Sequence, residues 1–375
     1  TRPTNSIKKS VITNISKVKT EIKEIISQVA NESQTEIASV RLNVPVVNSL
    51  TNYFNSEISV SGEKISDLHL KKSVNESEIL DPVYKYKVIH RSILNYELDN
   101  QNNINDPRGM FGDNLKVHFF KLAVRENYIK TINTIFEQLD IHIEKFIPTP
   151  LSSALAVLKN DEKELGAISI DLGAGSTSIS VFENNKLIFL NSISIGGQHI
   201  TTDIARGLST TIESAERLKT LYGSVNSSPS DDFELIDVNV LGTDNNQFNQ
   251  INRSQLNSII KPRVEETLEL TRQKLKEYNL DKKLIRNVIL TGGGSLLEGI
   301  EEYAQVIFDS KARISQLIPF LELDDKFNKP QFFQTIGLMF YNESDYQFDF
   351  LLENKEKIEK RLLFKRFSSW LDQYI

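Results

Sequence analysis

The segment 167–181 constrains the fold of this chain most, because two apolar runs flank a short glycine turn. The run before the turn is typical of a buried strand, and the run after it alternates as a second strand. We expect Gly173 and Gly175 to take positive φ and to bring backbone N–H groups close to an anion. Asp171, just ahead of the turn, suits a divalent cation or a positioned water better than the phosphate itself. The alternative is a tight hairpin turn that binds no ligand.

A second glycine segment, at 288–300, predicts a strand, a glycine loop and a helix that starts near Ser295. Gly292, Gly293 and Gly294 would let the chain pass flat against a nucleotide, and the helix N-terminus would favour phosphate. One such loop carries little information alone. Two of them, each at the end of a buried strand, predict one site closed from two sides.

A helix is predicted between the glycine segments, from a cap at Thr210 or Thr211 to Gly223. Its predicted apolar stripe consists of Ile212, Ala215, Leu218 and Tyr222. Glu216 and Lys219 stand three residues apart on a neighbouring stripe. This second stripe is either a solvated charged face or, beside the glycine loops, a carboxylate for ribose hydroxyls and an ammonium near a base.

These elements resemble the nucleotide site of the actin-like ATPase superfamily, and within it the FtsA family of bacterial division proteins. The resemblance implies an α/β, ribonuclease H-like two-domain fold with an inserted α+β subdomain. It implies ATP and Mg²⁺ as cofactors, with Asp171 as a catalytic residue and as a metal ligand through water. The implied ATP-binding residues are Gly173, Gly175 and Ser176 in the second phosphate loop, Glu216 and Lys219 at the nucleoside, and Gly292, Gly293 and Gly294 in the adenosine motif.

Further family-like motifs run along nearly the whole chain, at 7–14, 105–112, 148–158 and 195–205. Superfamily members also carry a first D-x-G-[ST] phosphate hairpin ahead of the first helix. No such hairpin stands before the first predicted helix of this chain, and the first residue is Thr1. We therefore expect an N-terminally incomplete chain, and the alternative is a protein that has lost one phosphate loop.

Periodicity and the resemblance together divide the chain into subdomains. We expect subdomain IA at 1–50, with returns at 148–165 and 334–352, an inserted subdomain IC at 51–147, subdomain IIA at 166–205 and 284–333, and subdomain IIB at 206–283. The sequence also predicts helices at 14–31 and 126–139, strands at 37–46, 83–98 and 115–123, and loops at 99–107, 224–232 and 242–252. The resemblance implies a second connecting helix at 334–340.

Residues 355–375 predict an amphipathic helix that lies in the plane of an anionic membrane. The segment contains six Lys or Arg against three acids, in a chain of net charge −6, and it includes the one tryptophan. Its apolar face consists of Ile358, Leu362, Leu363, Phe367, Trp370, Leu371 and Tyr374. The family ends in a membrane-targeting helix of this kind, whereas the alternative is a helix that docks on its own domain.

The resemblance implies an ATP-binding protein that forms actin-like filaments on the cytoplasmic face of the bacterial plasma membrane and tethers the FtsZ ring at the division site. The implied partners are the C-terminal tail of FtsZ on subdomain IIB, further copies of the chain, anionic lipid, and other division proteins through subdomain IC. Arg263 is the implied contact for the acidic tail, and the alternative is a helix-start cation paired with Glu266. At most a weak ATPase activity is expected, beside a mainly structural role.

Two other classes share the predicted fold. A PilM-like adaptor of a pilus or secretion assembly would lack the terminal lipid helix, and an ATP-dependent kinase would need a substrate cleft with its own base, for which we find no motif. The net charge of −6 argues against nucleic acid as a partner. The absence of cysteine excludes disulfides and thiolate metal sites.

Overall fold

The computed structural model describes residues 4, 6–8, 11–79, 85–239, 248–280, 287–318 and 326–342. These residues fall into two compact units. The first contains Thr1–Ser49 and Val124–Tyr341, and among the described residues the second contains Leu50–Ala123 and Asn342. Each unit has its own main sheet and its own apolar core, and the first unit also has three two-stranded sheets.

The N-terminal half of the chain alternates short and long strands with helices. It starts with β1 (Ile7–Lys8), β2 (Val11–Ile12), α1 (Ile15–Ser33) and β3 (Ser39–Val44). Then come β4 (Leu50–Ser59), α2 (Asp67–Ile79), β5 (Tyr86–Leu98), β6 (Gln101–Ile104), β7 (Asn114–Arg125), α3 (Glu126–Glu137), β8 (His142–Pro148), α4 (Thr149–Val157) and α5 (Asn160–Leu165).

The second half begins with β9 (Ala167–Leu172), β10 (Thr177–Glu183), β11 (Lys186–Ile193), α6 (Gly197–Gly207), α7 (Ile212–Tyr222), β12 (Leu235–Asn239) and β13 (Phe248–Asn252). It ends with α8 (Arg253–Glu277), β14 (Asn287–Thr291), α9 (Ile300–Phe308), β15 (Lys311–Ile314) and α10 (Phe333–Phe340). Short 3₁₀ turns occupy Pro229–Asp232, Gly293–Leu296 and Pro330–Phe332.

The core of the first unit is a five-stranded sheet in the order β11-β10-β9-β14-β15. Strands β9, β10 and β11 are antiparallel, whereas β9, β14 and β15 run parallel. Because Thr291 lies opposite Asp171 in the register, the carboxyl ends of β9 and β14 emerge side by side. One face of the sheet packs Ile170, Ile179 and Leu290 into a single apolar core with α6 and α8.

Helix α4 covers the other face of this sheet and contacts β9, β10, β11 and β14. All its residues from Pro150 to Val157 are buried. Helix α10 crosses α4 so closely that a Cβ at Gly337 would overlap the carbonyl oxygen of Ser152. Glycine at 337 therefore allows backbone contact between the two helices. Elsewhere in this unit, β3 pairs with β8 in parallel, and α1 packs against α3.

The second unit is a four-stranded sheet in the order β4-β7-β5-β6, with α2 packed against β4. Its core includes Ile58, Leu70, Tyr96 and Phe119, of which Tyr96 and Phe119 are almost fully buried. The unit ends at Ala123, and α3 and β8 belong to the first unit because β8 pairs with β3. The unit is thus shorter than the inserted block at 51–147 expected from the sequence.

The prediction of two loops was wrong. The segment 99–107 contains strand β6, which pairs with β5 across a turn in which Asp99 and Asn100 take positive φ. The segment 242–252 contains strand β13, which pairs with β12 from Leu235↔Asn252 to Asn239↔Phe248. Both strands are rich in Asn and Gln, so composition hid them, and their partner strands determine their structure.

The predicted helix start near Ser295 was also wrong. Gly292 takes φ +78°, the 3₁₀ turn Gly293–Leu296 follows, and α9 begins only at Ile300, after Gly299 with φ +81°. The predicted stripe on α7 needs one correction as well. Ala215 and Leu218 are buried, but Ile212 is 59% exposed at the first helical position, next to its cap Thr211.

Candidate functional site

The two glycine loops meet at the carboxyl ends of β9 and β14. Asp171 and Thr291 are register partners, so the two loops leave adjacent strands at the same level. At Gly292 a Cβ would overlap Asp171 Oδ1, and at Gly294 it would lie 2.9 Å from the carbonyl oxygen of Leu172. The positive φ and the close approach together require glycine at 292.

Asp171 lies between these loops and is only 7% exposed. Its Oδ2 accepts a hydrogen bond of 2.5 Å from the Ser153 hydroxyl on α4. Burial raises the pKa of the Asp171 carboxyl above its ordinary value, and the hydrogen bond from Ser153 opposes that rise. The carboxylate is thus fixed from two sides, by α4 and by the loop at Gly292.

The hairpin turn at 173–176 does not need the backbone conformation that we expected. Among the described glycines, positive φ occurs at 62, 109, 166, 292 and 299, so this part of the prediction was wrong for Gly173 and Gly175. Close approach is what this turn requires instead. A Cβ at Gly196 would lie 2.5 Å from Gly173 O and 2.7 Å from Ala174 O.

The N-terminus of α6 holds this turn in place. The backbone N–H of Gly197 donates to Gly173 O at 2.9 Å, and that of Gln198 donates to Ala174 O at 2.8 Å. Two N–H groups that the first turn of a helix leaves unpaired are therefore satisfied by the hairpin.

Glu216 and Lys219 reach the same region from α7. The Lys219 ammonium lies 2.7 Å from Glu216 Oε2, and it donates to Gly197 O at 3.2 Å and to Thr201 Oγ1 at 2.9 Å. The Thr201 hydroxyl donates to Glu216 Oε2 at 2.5 Å. Lys219 is 15% exposed and Glu216 50% exposed at the side chain. Lys219 is therefore an ordered group beside α6, and Glu216 keeps half of its surface in solvent.

A cavity of about 30 Å³ lies inside this arrangement. Its walls are Leu172 and Thr177 on either side of the hairpin turn, Gly196, Gly197 and Ile200 at the start of α6, Val264, Thr267 and Leu268 on α8, and Gly294, Leu297 and Ile300 around the second loop. Most of the side chains in these walls are apolar, and the Thr267 hydroxyl donates to Arg263 O at 2.7 Å. A cavity of this size admits water and is smaller than a purine base.

Comparison with known proteins shows the family to which this chain is related. The model of the cell division protein FtsA matches residues 168–337, and the model of the SHS2 domain inserted in FtsA matches residues 50–122. FtsA of Agrobacterium fabrum is 32% identical over 336 residues, which cover 89% of this chain and 76% of the relative. The chain belongs to the FtsA family.

Other FtsA proteins are similar over much of their length. FtsA of Rhizobium meliloti is 32% identical over 336 residues, covering 89% of this chain and 76% of the relative. FtsA of Bacillus subtilis is 28% identical over 320 residues, covering 84% of this chain and 71% of the relative. The resemblance inferred from the motifs is thereby confirmed.

Solved structures show the same fold. The PilM–PilN type IV pilus biogenesis complex matches with a TM-score of 0.59 at 16% identity, covering 90% of this chain and 88% of the other. MreB5 of Spiroplasma citri bound to ADP matches with a TM-score of 0.58 at 14% identity, covering 92% and 79%. These likenesses confirm the actin-like fold of this FtsA-family chain, and the SHS2 match confirms its insertion. At 14–16% sequence identity, these two structures show the fold alone.

Arg263 lies inside α8 and not at a helix start, which corrects one alternative from the sequence. Its Nε lies 2.6 Å from Asp203 Oδ2 on α6, and its Nη1 pairs with Glu266. The hydrogen bond to Asp203 and the nearby Glu266 raise the pKa of the guanidinium further above its already high value. The expected pairing with Glu266 is present, and the pairing with Asp203 was not foreseen.

Asp171 is a single carboxylate beside a loop that can approach phosphate. Mg²⁺ in nucleotide sites is usually held by one or two carboxylates together with phosphate oxygens and waters, so this donor set fits the ion. In the described ranges, no cluster of three or more His, Asp or Glu side chains is arranged to hold a metal ion.

The predicted membrane helix at 355–375, with Leu362, Leu363, Phe367, Trp370 and Leu371, lies outside the described residues. Among the helices that the structure describes, none is long and apolar enough to cross a membrane.

Sequence reasoning missed three contributors to the site, namely Ser153, Gly196 and Thr201. The signal for Ser153 was a serine pair inside the otherwise apolar segment 150–158. Gly196 and Thr201 both fall within the family-like motif at 195–205, which was noted without a role for either residue.

Proposed function

We propose that this FtsA-family protein binds ATP with Mg²⁺ at the two glycine loops. The juxtaposition of the loops around buried Asp171 is the observation that carries the proposal. The turn at 173–176 faces the phosphates, and Asp171 holds Mg²⁺ through water. Ser176 belongs to the same phosphate loop.

In this proposal the nucleoside lies between α7 and the loop at 292–294. Glu216, half exposed beside Lys219, accepts hydrogen bonds from the ribose hydroxyls. Gly292, Gly293 and Gly294 provide a flat surface for the base. The base enters at the apolar cavity, whose present volume is about 30 Å³, so α8 and the second loop must separate to admit it.

Because the family is that of a cell division protein, we infer a structural role for this site. ATP binding favours filaments of the chain on the cytoplasmic face of the bacterial plasma membrane, where the helix at 355–375 binds anionic lipid. The filament tethers the FtsZ ring, and the insertion in the second unit contacts other division proteins. Turnover of ATP is at most slow.

The FtsZ tail docks on subdomain IIB. Here Arg263 shares its guanidinium between the acidic tail and its partners Asp203 and Glu266. The β12–β13 hairpin and the residue Phe233 ahead of it add apolar surface, since Phe233, Leu235 and Phe248 are 86%, 64% and 54% exposed. Each single contact is weak, and many copies on one filament raise the overall affinity.

ATP binding tests the site itself. We expect the intact chain to bind ATP, and Asp171→Ala to lower the Mg²⁺-dependent affinity and the nucleotide-dependent assembly. Glu216→Gln weakens binding, whereas Glu213→Gln, one turn earlier on the same helix, leaves it unchanged. Titration calorimetry and sedimentation measure the two effects. Unchanged binding and assembly in Asp171→Ala would contradict the proposal.

Lipid binding tests the second part. Co-sedimentation with vesicles that contain anionic lipid should recover the intact chain and should fail for a chain without residues 362–375. Retained binding after this truncation would point to an adaptor of the PilM class or to another membrane contact. Replacing Trp370 alone by Ala should weaken sedimentation without abolishing it.

A further inference from the structure

The two faces of the five-stranded sheet differ in polarity. Along β9 the side chains alternate, so Ile168 and Ile170 join the apolar core while Ser169 and Asp171 point to the face that α4 covers. Strand β10 repeats the pattern with Ile179 between two serines. The α4 face of these two strands carries Ala167 and Phe182 at one end and then the polar residues Ser169, Asp171, Ser178 and Ser180, all of them buried.

A row of polar side chains crosses this face at the level of Asp171. Ser178 is the register partner of Asp171 on one side and of Ser192 on the other. Thr291 is the partner of Asp171 on β14, and the register of β14 with β15 brings Ser315 level with Thr291. The five residues are between 1% and 8% exposed. Every strand of the sheet, or the residue that follows it, therefore contributes to a buried polar row centred on one carboxylate.

Only half of the four hydroxyls in this row make a hydrogen bond to another described residue. Ser178 and Ser192 share a hydrogen bond of 2.8 Å. Within the described part of the chain, the hydroxyls of Thr291 and Ser315 have no hydrogen-bond partner, and neither do those of Ser169 and Ser180 one row away. Buried hydroxyls without partners lower stability, so a row of them beside Asp171 indicates a role other than packing.

Ser153 reaches the centre of this row from α4. It is 1% exposed, and its hydroxyl donates to Asp171 Oδ2. The position of this donor is fixed, because α4 is buried from Pro150 to Val157 and is crossed at backbone contact by α10 at Gly337. On its other side, Asp171 Oδ1 lies against Gly292. Ser153 is therefore a rigid donor behind the carboxylate.

We propose that Ser153 is a positioning residue for Asp171, and that the polar row surrounds this carboxylate while it holds a Mg²⁺-bound water. This inference rests on the proposed nucleotide site. Hydrogen-bond donors behind a metal-binding carboxylate orient it, and their loss typically lowers metal affinity by about 10- to 100-fold.

The experiment measures ATP affinity of the intact chain in Mg²⁺ and in EDTA. Ser153→Ala should lower the affinity in Mg²⁺ by about tenfold or more and leave the affinity in EDTA unchanged. Ser153→Thr, which keeps the hydroxyl, should retain most of the Mg²⁺ effect, and Asp171→Asn should abolish it. An undiminished Mg²⁺ effect in Ser153→Ala would overturn the inference.

Ser180→Ala is the matched control, because Ser180 lies on the same face, is fully buried and makes no hydrogen bond in the described structure. We expect this variant to bind ATP like the wild type in both conditions. An equal loss of the Mg²⁺ effect in Ser180→Ala would show a general response to lost hydroxyls and would also overturn the inference.

A double-mutant cycle separates this inference from the proposed function, because it needs no nucleotide. The unfolding midpoints of Ser153→Ala, Asp171→Asn and the double variant should be non-additive, whereas Ser180→Ala and Asp171→Asn should be additive. A wild-type chain that binds no ATP would refute the proposed function, and the cycle would then decide alone. An additive cycle for Ser153 and Asp171 would refute the positioning role.

Discussion

On one face of the five-stranded sheet, Ile168, Ile170 and Leu290 pack with α6 and α8 into a continuous apolar core. On the other face, Asp171 and the serines of β9 and β10 meet α4. Both faces are equally inaccessible to water, so burial alone does not distinguish them. The first face supplies stability, because apolar area removed from water favours folding. The second face contributes less stability, because it buries hydroxyl groups, and these hydroxyls surround one carboxylate.

Neighbouring residues on β9 test this contrast most strongly. Ile170 is fully buried, and Ile170→Ala removes apolar area and leaves a cavity, so we expect a loss of about 2–5 kcal/mol in the free energy of unfolding. Urea denaturation of the protein measures this loss in the free energy of unfolding. A loss below about 1 kcal/mol would mean that this face is loosely packed.

The second glycine loop follows β14 and contacts Asp171. A substitution in this loop should have the next largest effect on stability. Gly292→Ala forces a side chain into a positive φ and against Asp171 Oδ1, so we expect a loss of about 2–4 kcal/mol and of ATP binding. Gly293→Ala is the control for stability alone, since the nearest atom to its added Cβ is Gln331 Cβ at 3.8 Å. Equal losses in the free energy of unfolding for the two substitutions would contradict the geometric account.

Much of this site followed from the sequence, because local patterns carry it. The apolar runs around 173–176 and 292–294 predicted two strands that end in glycine loops, and the register brings those ends together. The alternation of polar and apolar residues in β9 and β10 was visible in the sequence, but what covers the polar face was not. Only the packing of α4 shows that Ser169 and Ser180 face a helix and not solvent.

Other features depended on contacts between distant residues. The pairing of Arg263 with Asp203 spans 60 positions and has no local signature. The strands at 101–104 and 248–252 were hidden by their polar composition and depend on their partner strands. The conformation of the hairpin turn was predicted wrongly, because a glycine that allows close approach and one that needs positive φ look the same in sequence.

An ion pair at the edge of the polar face should make stability depend on pH. Arg313 Nε and Nη2 lie 2.9 and 2.8 Å from the two carboxylate oxygens of Glu162, and Nη2 also donates to Val157 O at the end of α4. Burial raises the pKa of Glu162, but the hydrogen bonds from Arg313 and from the Lys159 N–H outweigh it, so the pKa lies below its usual value.

A carboxyl with a lowered pKa in the folded state stabilises the protein above its unfolded pKa of about 4.3, and the contribution disappears as pH falls through the folded value. We expect Glu162→Gln to cost about 1–2 kcal/mol near pH 7, after allowance for the partly exposed pair. The difference from the wild type should shrink below about pH 4. Urea unfolding at several pH values measures both, and a difference that is constant with pH would exclude this ion pair as the cause.

The smallest expected effect completes the comparison on β9. Ser169 lies next to Ile170, is only 2% exposed, and its hydroxyl has no hydrogen-bond partner among the described residues. Replacing an unpaired buried hydroxyl by hydrogen costs little, because the desolvation of that group was already unfavourable. We expect Ser169→Ala to change the free energy of unfolding by less than about 0.5 kcal/mol, or to raise it, against the large loss in Ile170→Ala. A loss above about 1 kcal/mol would show that the hydroxyl is satisfied in solution, and the polar face would then contribute to stability as well as to the site.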